Sequence, residues 1–401
     1  MNSVFTKKQT KFLVAVGLVM GLRELSMTML NPFISIYCNT LKGSTPFLCG
    51  LTLGIYGLTN GLFQIPYGSI SDRVGRKPII LLGLIQLLAG LLLAGLVRNI
   101  YLLIVARALQ GSGAVMAIAY SWIGDCIEDE KKSRAMGITG IIVALGAVLA
   151  FVLGPLLYNL ISVNDMFLGC SFLIFLVVLF IFFFIEENKI EATGKNTEEG
   201  RNLIFINLKL LLKNKSLLIL SICGFIFNYI MSEMFMIVPD YLKKQIGVIH
   251  MWYVFLPAII IGIISMKIAT NLADKGYFPL VTMGEFIGLA LGFILIALNI
   301  FTTVFFGTIL LFCGFMCLTS ILPSIINKTI EKDRLGAANG IFQTMTFMGF
   351  FVGPTLTGLL LEHNFNIAIF IIPIIIATLG ALLIYNTYAR VKLTQIEKKQ
   401  I

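Results

Sequence analysis

The sequence is poor in charge. Only 12% of its 401 residues are Asp, Glu, Lys or Arg, whereas 58% are hydrophobic and the mean hydropathy is +0.95. Soluble domains usually carry about 25% charged residues, and a water-soluble fold of this size could not hide so much apolar surface. The scarcity of charge therefore excludes a soluble protein and makes the lipid bilayer the solvent for most of the chain.

Histidine is also scarce, since the chain has only His250 and His363. Both lie near predicted outer loops without a visible nucleophile, so the convergent group that an enzyme needs is missing. The seven cysteines lie mostly in apolar runs and show no metal-ligand spacing. A membrane sensor would usually carry a sizeable soluble output domain, and no stretch of the sequence has that character. We therefore expect no enzyme, no metal site and no cofactor.

Apolar runs long enough to cross a bilayer recur along the chain. A hydrocarbon core about 30 Å thick needs roughly 20 apolar residues per helix. The first run is too long for a signal-peptide core, so we expect it to be retained. The pattern predicts an all-α polytopic membrane protein with twelve transmembrane helices, near residues 12–37, 47–70, 78–97, 100–124, 135–160, 166–185, 216–241, 248–272, 279–299, 300–326, 336–361 and 367–389.

The breaks between the runs predict the domain organisation and the orientation. We expect a six-helix bundle at 1–185, a cytoplasmic linker at 186–215 with an interfacial helix from 203, and a second six-helix bundle with a short tail at 216–401. The formal charge of +10 is scattered through short loops, which argues against a nucleic-acid partner. Because short cytoplasmic loops retain Lys and Arg, we place both termini in the cytoplasm, with the protein in the cell membrane.

The two halves of the sequence resemble each other at three landmarks that recur in the same order. Such recurrence indicates a duplicated unit and predicts two pseudo-symmetric six-helix bundles, with a central site between the repeats. The paired landmarks are 71–75 with 273–276, 134–137 with 334–340, and Gly154-Pro155 with Gly353-Pro354.

The most specific motif lies between the second and third predicted spans. The run from Gly68 to Lys77 reads GSISDRVGRK and closely resembles the G-x-x-x-D-R-x-G-R-K loop signature of the major facilitator superfamily, a family of membrane transporters. The plain alternative is a positively charged turn that only fixes topology. The resemblance implies a conformational switch in which charge pairs stabilise the outward-open state. Its residues would be Gly68, Asp72, Arg73, Gly75, Arg76 and Lys77, with Asp125 at the end of the fourth span as the partner.

A second match lies in the fourth span. Arg107, Gln110, Gly111 and Gly113 fit the R-x-x-Q-G-x-G pattern that is found in proton-coupled members of the family. An arginine deep in a span normally faces a water-filled cavity or an acidic partner, so we expect Arg107 and Gln110 at the cavity. The alternative of an arginine that reaches the interface suits Arg98 better. The two glycines would let a neighbouring helix approach closely.

Small residues follow one face of the fifth span at Gly146, Ala150, Gly154 and Pro155. They resemble the antiporter signature of the family imperfectly, because Ala150 replaces a glycine and the residues at 158 and 159 depart from the pattern. A packing face of small residues is the alternative, and it implies no direction of transport. Gly353 and Pro354 would serve the same packing role in the second repeat.

Acidic residues within spans are the candidates for proton coupling. Arg23 and Glu24 lie halfway along the first span, where they could either titrate in a cavity or form a static ion pair. Glu233 lies in the seventh span. The residues around it are adaptable or aromatic and are the candidates for substrate binding, namely Asn228, Tyr229, Met231, Met234 and Phe235.

The resemblance covers nearly the whole chain and implies a secondary active transporter that works by alternating access. Residues 54–59 and 63–66 look like the drug/proton antiporter branch, and from the short tail after Arg390 we expect a compact relative without the extra C-terminal domain of some members. We therefore expect a monomer in the lipid bilayer that exports amphipathic drugs or related small molecules against a proton gradient. A proton symporter or facilitator for a nutrient or metabolite is the alternative, and a non-transporting sensor is another.

Overall fold

The computed structural model describes residues 5–158, 160–185, 211, 213–331 and 334–389, which are nearly all helical. No β-strand occurs in those ranges. The α-helices are α1 (Lys7–Thr28), α2 (Asn31–Cys38), α3 (Pro46–Val74), α4 (Arg76–Leu96), α5 (Ile100–Ser112), α6 (Met116–Cys126), α7 (Asp129–Tyr158), α8 (Val163–Phe184), α9 (Lys215–Ile246), α10 (Trp252–Leu272), α11 (Phe278–Ala297), α12 (Phe301–Thr329), α13 (Leu335–Glu362) and α14 (Ala368–Ile384).

Eleven helical segments of the described chain are long and apolar enough to cross a membrane. The longest, Val248–Ala297, has 50 residues and contains both α10 and α11. At 1.5 Å per residue it is long enough for two crossings. Counting it twice gives the predicted total of twelve, and the prediction of an all-helical polytopic protein is confirmed.

Two of the spans that were predicted as continuous helices are broken. The first span is split into α1 and α2, because Pro32 has no N–H to donate to the carbonyl four residues earlier. The fourth span is split into α5 and α6 at Gly113, whose ψ of 57° is not helical. A helix break within a membrane leaves backbone groups that nearby polar side chains can satisfy.

The contacts divide the chain into two units, a first unit of 1–44 and 58–201 and a second unit of 45–57 and 202–401. The boundary at 57–58 falls inside α3. The predicted linker and interfacial helix at 186–215 lie almost entirely outside the described residues.

The helix pairing within each unit repeats. In the first unit, α1 packs on α7, and α4 packs on both α5 and α8. In the second unit, α9 packs on α13, and α11 packs on both α12 and α14. In terms of spans these are the pairs 1–5, 3–4 and 3–6, followed by 7–11, 9–10 and 9–12. The internal repeat that the sequence predicts is therefore present in the packing.

Candidate functional site

The loop motif of the first unit is organised around Arg76, the first residue of α4. Its Nε donates to Asp125 Oδ2 at 2.8 Å, and its Nη1 donates to Ser71 Oγ at 2.6 Å and lies 2.5 Å from Asp72 Oδ1. Gly75 has φ of 107°, a backbone conformation that favours glycine, and this residue allows α4 to follow α3 directly. The structure thus brings Asp72, Arg76 and Asp125 together.

The other basic residues of this motif have different surroundings. Arg73 is exposed, and no ion pair joins it in the described part of the chain. Lys77 Nζ donates to the backbone oxygen of Phe182 at 3.0 Å and lies 5.9 Å from the centroid of its ring. A side chain at Gly68 would meet nothing within 4 Å, so packing does not explain this glycine. The role of the motif in switching stays a prediction.

The second unit carries a simpler version of the same loop. Lys328 near the end of α12 donates from Nζ to Asp274 Oδ1 at 2.7 Å, and both side chains are more than half exposed. Gly276, with φ of 91°, lies in the turn between α10 and α11. The second unit therefore keeps an acid, Asp274, in its loop. The partner of this acid is Lys328 near the end of the tenth span, whereas the end of the fourth span in the first unit carries Asp125.

Arg107 lies in the packed interior of the first unit and has no exposed surface. Its Nη1 donates to Gln110 Oε1 at 2.8 Å, and its Nη2 lies 3.4 Å from Asn31 Oδ1 at the α1–α2 break. Gln110 in turn donates from Nε2 to the Gly90 backbone oxygen at 3.0 Å. The structure therefore gives Arg107 and Gln110 no exposed surface, and groups of α2, α4 and α5 bond to them. Their part in coupling stays a prediction.

The acid of the first span is well supplied with partners. Glu24 Oε1 accepts a hydrogen bond from Thr28 Oγ1 at 2.9 Å, and Oε2 lies 3.9 Å from Arg23 Nη1. The Glu24 side chain is 30% exposed, whereas that of Arg23 is 3% exposed. This geometry is that of the ion pair weighed as an alternative in the sequence analysis.

The acid of α9 is in a different environment. Glu233 has no exposed surface, and its Oε1 accepts a hydrogen bond from Thr357 Oγ1 of α13 at 2.8 Å. Its Oε2 is buried without a hydrogen-bond partner, as is the hydroxyl of Tyr229 one turn earlier. Within the described residues no cation forms an ion pair with Glu233. The site is a lone carboxyl in the interior of the second unit.

The predicted substrate-binding residues surround this carboxyl in sequence and do not line an open surface. Asn228 is half-buried, and the other four are at most 6% exposed, namely Tyr229, Met231, Met234 and Phe235. Contact with substrate through these residues therefore stays a prediction.

The predicted small-residue positions are helix contacts. A Cβ at Gly146 would collide with the backbone oxygen of Gly21, and one at Gly154 would lie 2.9 Å from the Met29 oxygen. In the second unit a Cβ at Gly353 would lie 2.5 Å from the Tyr229 oxygen. Pro155 and Pro354 lie inside α7 and α13, and Gly111 and Gly113 are buried at the α5–α6 break. These contacts draw α7 onto α1 and α13 onto α9.

Sequence reasoning missed several residues that the structure brings to these sites. Thr357 and Asn31 reach Glu233 and Arg107 from 124 and 76 residues away. Glu362 at the end of α13 accepts hydrogen bonds from Thr45 Oγ1 at 2.9 Å and Phe47 N at 3.0 Å. The available signal was the presence of polar residues within or next to apolar runs, which marks them as candidates without identifying their partners.

Comparison with known proteins agrees with this architecture. The sequence profile of the Major Facilitator Superfamily matches residues 16–326 and 312–400. The inner membrane transport protein YajR of Escherichia coli is 28% identical over 353 residues, which cover 85% of this chain and 75% of YajR. An uncharacterized transporter of Buchnera aphidicola is 28% identical over 363 residues, covering 88% of this chain and 90% of its own. The class H tetracycline resistance protein of Pasteurella multocida is 22% identical over 366 residues, covering 88% and 86%.

A solved structure shows the same fold. That of the nucleoside transporter NupG superposes with a TM-score of 0.76 at 14% identity and covers 94% of this chain and all of that chain. Paired six-span repeats with a charge-paired loop define a polytopic membrane transporter. The chain belongs to the Major Facilitator Superfamily, and it is a transporter and not an enzyme.

Proposed function

We propose that this chain exports amphipathic small molecules in exchange for protons. The observation that carries the proposal is Glu233, a carboxyl with no exposed surface, one unpartnered oxygen and no ion pair in the described chain. An ionised carboxylate in such a place lacks water and a counter-ion, which is costly within a membrane. A proton neutralises the group and needs no cavity, so it is the ligand that suits the geometry.

Proton binding at Glu233 supplies the coupling that exchange requires. A buried group that is neutral in one conformation and ionised in another favours the two conformations unequally at a given pH. Loading and release of the proton would therefore bias the alternation between outward-open and inward-open states. Glu24, Arg23, Arg107 and Gln110 are the proposed supporting groups of the first unit.

The substrate class is proposed from chemistry and from relatives. The candidate contacts on α9 include two methionines and two aromatic residues, which adapt to varied apolar shapes. Two matching relatives are named tetracycline resistance proteins, of class H and class B, and a third, matched over 24% of this chain, is named multidrug resistance protein 3. The glycine face at Gly146 and Gly154 resembles the antiporter signature and supports exchange over cotransport.

The proposal extends to the setting of the protein. The positive-inside pattern supports cytoplasmic termini and residence in the cell membrane. We infer a monomer whose energy source is the proton gradient, with no cofactor.

Transport assays in reconstituted vesicles test the proposal. A pH gradient is imposed in either direction, with an amphipathic fluorescent dye as probe. We expect the dye to move opposite to the protons and to accumulate on the acidic side of the membrane. A pH indicator in the lumen should report proton movement when dye is added, and vesicles without protein provide the control. Dye and protons that move together, or dye movement that ignores the gradient, would contradict exchange. Uptake of sugars or organic acids in place of dye would favour the nutrient symporter or facilitator.

A further inference from the structure

We propose that Thr357 passes the protonation state of Glu233 to the backbone of α13. The inference rests on the proposed function, because it assigns a mechanism to the proton that Glu233 would carry. Thr357 is fully buried, and its hydroxyl oxygen lies 2.8 Å from Glu233 Oε1 and 2.9 Å from the Gly353 backbone oxygen. The same hydroxyl is thus within donor distance of an acid on α9 and of a carbonyl on its own helix.

One hydroxyl cannot satisfy both acceptors fully, because a threonine carries a single hydroxyl hydrogen. When Glu233 is ionised, the carboxylate is the stronger acceptor and takes this hydrogen, since charge-assisted hydrogen bonds are about twice as strong as neutral ones. When Glu233 holds a proton, the competition weakens and the hydrogen turns to the Gly353 carbonyl. The proton on Glu233 therefore decides which helix Thr357 bonds to.

The second position of this hydrogen has a mechanical consequence. Threonine hydroxyls that donate to the carbonyl four residues earlier bend helices. Here the bend would fall at Pro354, where α13 already lacks one backbone N–H. Gly353 is pressed against the Tyr229 backbone of α9, and Pro354 and Gly358 contact residues 46–50 at the start of α3. Protonation would thus tighten a bend at the point where α13 meets two neighbours.

The charged and titratable groups near Glu233 leave Thr357 as its principal partner. Tyr229 is the nearest titratable group on α9 itself. On the helices packed against α9, Glu285 of α11 interacts with Cys313 and Cys317 of α12, and Glu362 of α13 binds the start of α3. Lys328 of α12 pairs with Asp274. Among the described residues none of these forms a hydrogen bond or an ion pair with Glu233.

The decisive variants remove this hydroxyl or keep it. Thr357→Val removes it and keeps the branched shape, and Thr357→Ser keeps it. Thr346→Val is the matched control, since Thr346 is buried three turns earlier on α13 and its hydroxyl donates at 2.8 Å only to its own helix, at the Phe342 oxygen. We expect Thr357→Val to lower gradient-driven transport about tenfold, with downhill transport nearly unchanged. Thr357→Ser and Thr346→Val should transport like the parent chain.

Infrared difference spectroscopy supplies a measurement that would not change if Thr357 had only a structural role. The carboxylate stretching band of ionised Glu233 is identified as the band lost in Glu233→Gln. Because the proposal assigns the Thr357 hydrogen bond to the ionised acid, that band should shift in Thr357→Val, with no shift in Thr357→Ser or Thr346→Val. Thr357→Ala replaces Thr357→Val if the latter does not fold.

The outcomes separate this inference from the proposed function. If Glu233→Gln uncouples transport while Thr357→Val retains full coupling and an unshifted band, the relay through Thr357 is wrong and proton exchange stands. If Glu233→Gln remains fully coupled, the proposed role of Glu233 is wrong and the relay falls with it.

Discussion

Each unit places an acid within a predicted span beside a threonine hydroxyl, at 2.9 Å for Glu24 and Thr28 and at 2.8 Å for Glu233 and Thr357. The surroundings differ. Glu24 is 30% exposed and lies beside Arg23, whereas Glu233 is fully buried and has an unpartnered oxygen. Glu24 bonds within its own helix and Glu233 bonds across to another. The same chemical pair is therefore a local contact in one unit and a link between helices in the other.

The difference extends to the rest of each unit. The first unit gives two of its buried charges several partners, since Arg76 and Arg107 each bond to more than one group. Arginine keeps its proton in proteins, so an acid is the group that can carry one. Glu24 has Thr28 and Arg23 as partners, whereas Glu233 has an unpartnered oxygen, and a proton is the simplest means of neutralising an isolated acid. The comparison therefore favours the second unit as the place where protons act.

The largest expected effect comes from replacing the two acids one at a time. Glu233→Gln keeps the shape and removes the titratable proton, so we expect gradient-driven transport to fall at least about tenfold, equivalent to about 1.4 kcal/mol. Glu24→Gln should lower it less than about threefold, because Arg23 and Thr28 can bond to an amide oxygen. Initial rates with and without a pH gradient measure both. A reversed ranking would overturn the comparison.

Arg107→Met tests whether the first unit is a satisfied framework. The change removes a partner from the buried Gln110 and from the half-buried Asn31, and a buried group left unsatisfied costs about 1–3 kcal/mol. We expect a clear fall in the thermal midpoint of the purified protein, measured by intrinsic fluorescence, with the pH dependence of transport retained. Arg98→Met is the control, because Arg98 is exposed. A normal midpoint together with lost coupling would assign Arg107 to the proton pathway.

Glycine contacts test what the two units share. Gly146→Ala and Gly349→Ala should each destabilise by about 1–3 kcal/mol, because the added methyl would collide with the backbone of Gly21 in α1 or Phe225 in α9. Gly137→Ala on α7 is the control, since a Cβ there meets nothing within 4 Å, and it should be neutral or stabilise by about 0.5–1 kcal/mol. Thermal midpoints give the ranking. If only one of the two substitutions destabilises the protein, glycine packing does not account for the helix pairing that the two units share.

Much of the fold could be predicted from the sequence because the signals are local. The span pattern depends on runs of about 20 apolar residues, and the loop around Arg76 lies within a ten-residue motif. The break before Pro32 also had a local cause that the prediction overlooked. Membership of the family follows from the same local signals.

The candidate site could be predicted only in part. Glu233 and Arg107 stood out because ionisable residues are rare within apolar runs. Their partners Thr357 and Asn31 did not, because the contacts depend on how helices 124 and 76 residues apart are rotated and staggered against each other. A threonine in a membrane helix usually bonds to its own backbone, as Thr346 does, so residue type alone does not reveal the exception.

The smallest expected effect is that of the exposed loop ion pair in the second unit, compared with the buried loop ion pair of the first. Arg76 is mostly buried and bonds to three groups, so Arg76→Ala should cost about 1.5–3 kcal/mol. Lys328 and Asp274 are more than half exposed, and Lys328→Ala should cost no more than about 1 kcal/mol. Thermal midpoints at low and high salt measure both. Salt should reduce the effect of Lys328→Ala and leave that of Arg76→Ala nearly unchanged, because buried pairs are screened less. Equal salt sensitivity would mean that solvent ions screen the loop ion pairs of the two units to the same extent. The contrast between the units would then be confined to Glu24 and Glu233.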